Sequence, residues 1–237
     1  ERRRQEFERQ QEAAAGAGGA KKRTAALDLL KKKVADKAAA DTRIRTSESA
    51  RRVEARLQAA FRYLSEFATM LNDAHPVSEG KQGVMFFGDL PGMILGDGFT
   101  DIRSRDLHGV SRADFVTFKY KVSFPRPAKL EVSAAQLAPM EQRLHAMGIK
   151  YEISMKKNDF GQLVNATLLL SGPFPCQAVF RGDYDEPAIL VEMVNVRHTG
   201  PVRLHLAPEE LTDDVLDEFG TWVLGADDGF ERFLKRR

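Results

Sequence analysis

The sequence predicts an α+β protein: a long N-terminal helical arm, then a mostly antiparallel β-sheet or barrel-like body with a mid-chain helix and an acidic C-terminal helix. Three observations predict it. Apolar residues are sparse before Val53 and frequent after it. The phrase RRVEARLQAAFRYLSEFATML, residues 51–71, carries Val53, Leu57, Ala60, Leu64, Phe67 and Leu71 at alternating steps of four and three, the spacing of one helix face. After HPVSEG the period becomes alternating, and short turns join the apolar runs, which argues against a doubly wound parallel sheet. The predicted domains are a basic helical arm over 1–50 and a body over 51–237, with a packing helix over 51–74, strands within 83–206 and a helix over 208–235.

Residues 1–15 read as a charged helix that GAGGA, 16–20, interrupts, because glycine inside a helix costs about 1 kcal/mol relative to alanine. Helical sequence resumes from Lys21, with Leu27, Leu30 and Val34 on one face, and weakens over 42–49; a kinked pair and one continuous helix both fit. A continuous helix over 21–74 reaches about 80 Å at 1.5 Å per residue. The seam of 51–71 is about 120° wide once Phe61 and Ala68 are included, broader than a two-stranded coiled coil needs. Val53, Leu57, Leu64, Phe67 and Leu71 are therefore predicted to pack on the body, and any partner-binding stretch lies upstream.

GVMFF (83–87) and FTDIRSR (99–105) read as strands separated by a turn-rich segment. DFVTFKYKVSF (114–124) is the clearest strand, with Val116, Phe118, Tyr120, Val122 and Phe124 on one face and Phe115, Thr117, Lys119, Lys121 and Ser123 on the other. KLEV follows, then a helix opened by Ser133 and Gln136 as a capping box and closed by Gly148. Strands return over 149–156, 162–171, 176–182, 188–196 and 202–206, and Pro208 with Glu209 and Glu210 is read as the start of the last helix.

Charge is divided. Residues 1–56 hold 16 Lys and Arg against 9 Asp and Glu, and nine carboxylates with no cation occupy Glu209–Glu231. No apolar run approaches the roughly 18 residues of a bilayer span, and no membrane insertion is expected. One cysteine, Cys176, allows no internal disulfide, and a cytoplasmic location is the expectation.

Motifs that carry chemistry fail on inspection. GAGGAKKRT and EGKQG lack the Gly-Lys-Ser/Thr of a phosphate loop between strand and helix. His75, His108, His145, His198 and His205 are scattered; a two-residue HTGP turn would set His205 opposite Val194, away from His198. Asp183, Asp185 and Glu186 match no calcium loop, and Cys176 reads as a buried, inert thiol. No catalytic, cofactor-binding or metal-binding residue is predicted, no cofactor is implied, and the reading leans away from an enzyme. Phosphate contact is the functional reading of Lys21, Lys22, Arg23, Lys31, Lys32 and Lys33 on the arm, and of Arg103, Arg105, Lys119 and Lys121 beside Phe115 on the sheet; a solvated charged surface is the plainer one. The sequence thus favours an assembly or scaffold protein that oligomerises with itself or docks on a helical partner through its arm. A nucleic-acid-associated protein is the alternative, and a ligand-binding or enzymatic β body is the third reading.

Overall fold

The computed structural model describes the backbone of residues 2–107 and 109–235, and the side chains of 27–34, 36–37, 48–107 and 109–235. The chain divides into two units, Glu1–Ser49 and Ala50–Arg237. Helix α1 (Arg2–Ala74) runs through the described residues of the first unit and opens the second. Within the first unit the backbone is helical through GAGGA, so the expected interruption is absent. Gly16, Gly18 and Gly19 each weaken the helix by about 1 kcal/mol, but the alanines, glutamates, arginines and lysines on both sides are strong helix formers.

The second unit is antiparallel throughout its sheets. A two-stranded sheet pairs β1 (Lys81–Val84) with β2 (Gly88–Pro91). A five-stranded sheet contains β3 (Ile94–Leu107), β4 (Val110–Ser123), β8 (Phe174–Asp183), β9 (Ala188–Val194) and β10 (Pro201–Leu206) in the order β10-β9-β8-β4-β3. Between β4 and β8 the chain makes an excursion: β5 (Ala128–Ser133), helix α2 (Ala134–Ala146), β6 (Glu152–Lys157) and β7 (Leu163–Leu170) form a three-stranded sheet ordered β5-β7-β6. None of these sheets closes, so the barrel-like alternative is corrected to open sheets covered by helices. No described helix is long and apolar enough to cross a membrane.

Alternation in β4 places Val116, Phe118, Tyr120 and Val122 in the core. Their neighbours on β8, Phe174, Cys176, Ala178 and Phe180, are buried on the same side. Residues 50–74 of α1 and helix α3 (Asp213–Leu224) cover this face, joined by aromatic contacts: Phe67 lies 5.6 Å from Phe118, while Phe219 meets Phe118 and Phe180 at 6.4 and 5.6 Å. Val53, Leu57, Leu64 and Leu71 are buried and Phe67 is partly buried against the core. At Gly98 a side chain has no room, because a Cβ there would stand 2.9 Å from the carbonyl oxygen of Ala68. Asn72 exploits that approach, donating to the Gly98 carbonyl at 2.8 Å and accepting from its N–H at 2.5 Å.

Several boundaries move. GVMFF is half strand and half turn: Phe86 takes a left-handed φ of 70° and Gly88 one of 78°, which folds β1 back on β2. The terminal helix starts at Asp213 rather than Pro208, because Thr212 caps it by accepting from the Val215 N–H at 3.3 Å while residues 208–210 make a turn. It then stops at Gly225, left-handed at φ 77°, and helix α4 (Glu231–Leu234) is a separate turn. The capping box of α2 is present, with Gln136 Oε1 accepting from the Ser133 N–H at 3.2 Å and its hydroxyl at 2.9 Å.

Candidate interaction surface

The same alternation that buries one face of the five-stranded sheet leaves the other open. Across it run three rows, read from β3 to β10: Phe99, Lys119, Gln177, Val194 and Pro201; Asp101, Thr117, Val179, Glu192 and Arg203; Arg103, Phe115, Arg181, Leu190 and His205. Phe99 is 56% exposed and Val194 is exposed, while Thr117 at the centre is buried among its longer neighbours. The face thus joins aromatic and aliphatic surface to cations; of the group Arg103, Arg105, Lys119 and Lys121 beside Phe115 singled out in the sequence, Arg103, Lys119 and Phe115 stand in these rows.

Its charges are mostly spoken for. Arg103 pairs with Asp101 at 2.7 Å, Lys121 with Asp97 at 2.8 Å and Arg203 with Glu192 at 2.7 Å. The hydrogen bond and charge of Lys121 hold the Asp97 carboxyl below the usual carboxylate range. Of the cations on this face, Lys119 has no carboxylate partner among the described residues. The guanidinium of Arg181 lies over the Phe115 ring, 4.7 Å from its centroid.

Arg105 belongs to a different arrangement at one end of the sheet. A bulge inserts Asp114 between the pairs Arg103↔Phe115 and Ser104↔Ala113, re-aiming its carboxylate toward Arg105 at 3.3 Å and Arg181 at 3.4 Å. Tyr184 fills the space beside them, with Arg105 and Arg112 5.8 and 5.9 Å from its ring centroid and its hydroxyl donating to the Ala113 carbonyl at 2.5 Å. Arg112 in turn pairs with Glu54 of α1 at 2.7 Å. Burial first, and then the Glu54 carboxylate, push the Tyr184 phenol up to about 12 against the pull of Arg112 and Arg105. A groove of about 260 Å³ opens here between Arg105, Arg181, Asp183, Asp185, Leu190 and His205. His205 stands opposite Leu190, not Val194, because six residues (195–200), not two, connect β9 to β10.

That connection is held by Asn195, which sequence reading did not single out. At φ 61° it donates to the carbonyls of Met147 and Pro175 at 3.0 and 2.9 Å and accepts from the Gly200 N–H at 3.1 Å. Its own carbonyl accepts from Gln82 and from the Cys176 thiol. Asn195 therefore ties the C-terminus of helix α2 to the start of β8 through its side chain, and to β1 through its backbone carbonyl. Burial pushes the Cys176 thiol far above its ordinary range, consistent with a packing role. A left-handed Asn was the available signal, since asparagine tolerates αL better than most residues, but its partners 48 and 20 residues upstream are not legible in sequence.

The acidic run is largely used within the chain. Glu209 pairs with Arg52, Glu218 with Arg232, Asp228 with Arg197 and Glu231 with Lys235. Asp217 accepts from Tyr63, and Asp213 and Asp214 sit in the first turn of α3, where the helix dipole favours them. Arg52 is the main cause of a lowered Glu209 carboxyl.

On the arm, Lys31, Lys32 and Lys33 are exposed, as are Leu27, Leu29, Leu30 and Val34, each between 55 and 68% exposed. The side chains of Lys21, Lys22, Arg23, Arg43 and Arg45, and His108 altogether, lie outside the described residues. Among the described residues no three metal-ligating side chains gather. Comparison with family models, curated proteins and solved structures finds no match.

Proposed function

We propose that the protein is a non-enzymatic assembly protein that oligomerises through its helical arm and presents a β-rich body. The observation that supports this reading is the apolar set on the arm. Leu27, Leu30 and Val34 recur at helical spacing on one face and are exposed to solvent, as is Leu29 elsewhere on the helix. Burying such a side chain is worth about 1.5–3 kcal/mol, and a lone helix with a thin apolar stripe gains little from its own fold. A second copy of the same helix satisfies that stripe most simply. Replacing Leu27, Leu30 and Val34 with aspartate leaves the body's core untouched and should lower the mass seen in light scattering; an unchanged mass contradicts the reading.

The open sheet face favours a second reading, contact with single-stranded nucleic acid. Exposed Phe99 beside Lys119, which has no carboxylate partner among the described residues, offers a stacking platform next to a cation. Because the other cations are paired, Lys119→Ala and Phe99→Ala together should weaken RNA binding about tenfold or more, given about 1–3 kcal/mol for one stacked base. RNA affinity that is absent at low salt, or unaffected by the pair, removes this reading.

A further inference from the structure

We propose that the tip of the β6–β7 hairpin docks on an anionic lipid surface, with Phe160 entering the boundary between headgroups and acyl chains. Phe160 is 88% exposed, the most exposed large apolar side chain among the described residues. It does not stand on a loose loop. Asn158 Oδ1 accepts from the N–H groups of Phe160 and Gln162 at 3.1 and 2.9 Å, its amide donates to Gln162 Oε1 at 3.1 Å, and Gly161 turns the chain at φ 77°. The ordering that a wedge residue would otherwise lose on docking is already built in.

Two further exposed apolar side chains flank the turn, Met155 on β6 and Val164 on β7, the latter at the register shift between Lys156 and Lys157. Lys156 and Lys157 adjoin them against Asp159 alone, so the tip is locally positive while the sequence beyond residue 56 carries 20 Lys and Arg against 25 Asp and Glu. Size separates a lipid surface from a protein partner. An aromatic side chain brings about 150–250 Å² to a contact, and two half-exposed neighbours add less, well short of the roughly 800 Å² per partner of a stable protein interface. A fluid interface needs no shaped pocket for a convex tip, and lysines near an anionic surface add to the attraction.

Co-sedimentation of the full chain with vesicles tests this, using phosphatidylcholine alone and an equimolar mixture with phosphatidylserine. The full chain should associate with the anionic vesicles and only weakly with the neutral ones. Phe160→Ser should lower partitioning about tenfold, Phe160→Leu should retain most of it, and Lys156→Ala with Lys157→Ala should flatten its salt dependence. Circular dichroism of each variant should match the parent, because the side chain touches no core. No association with anionic vesicles overturns the proposal, and so does equal association by Phe160→Ser, the result expected if the basic arm alone binds lipid or if the tip serves a protein partner.

Discussion

Two buried polar residues show how single side chains hold this body together. Asn195 satisfies three backbone groups from three segments while occupying a left-handed conformation. Asn195→Ala should destabilise the body by about 2–4 kcal/mol in urea unfolding, since it removes three part-buried hydrogen bonds worth about 0.5–1.5 kcal/mol each; a loss below about 0.5 kcal/mol, the range of a surface substitution, contradicts the role assigned to it. Tyr184 makes a pH-dependent contribution. Its folded phenol titrates at about 12 against an ordinary value of 10.0, so the folded form holds the proton that the unfolded form releases. That stabilisation is complete below the unfolded value and is lost as pH rises toward the folded one. Melting temperature should therefore fall between pH 10.0 and about 12 in the parent chain. In Tyr184→Phe, less stable throughout for want of the Ala113 hydrogen bond, that part of the alkaline slope should be missing; parallel curves for the two proteins would show that the phenol does not carry it.

Elements were legible where their periodicity was strong and local. β4 alternates cleanly because one of its faces lies on the core and the other is open, and the capping box of α2 is complete within four residues. The seam of 51–71 is wider than a coiled-coil seam, and Val53, Leu57, Leu64 and Leu71 along it are buried. What was lost depended on competition or on distance. Pro208 looked like a helix start because its φ suits one, yet Thr212 offers a hydroxyl to an unpaired N–H and takes the start instead. The Asp114 bulge leaves no sequence mark, because its meaning lies in Arg105 and Arg181 from two other strands. The open sheet face was half visible: Phe115, Lys119 and Lys121 could be grouped from strand parity, but the pairing of Lys121 with Asp97 required the β3–β4 register, and that of Arg103 with Asp101 the folded side chains.

At the scale of the whole molecule the chain combines a basic helical unit, whose described apolar residues face solvent, with a body whose acidic run is largely consumed by its own arginines and helix dipole. In the proposed assembly the main attraction is therefore the apolar stripe Leu27, Leu30 and Val34 and not charge. Assembly should accordingly persist at salt concentrations that screen surface charge. Sedimentation equilibrium of the full chain, at low and high salt and beside the variant Leu27→Asp, Leu30→Asp, Val34→Asp, measures this directly. A parent chain heavier than one copy at both salts and a variant at the mass of a single copy is the predicted result; a monomeric parent, or a variant that assembles equally well, contradicts the account.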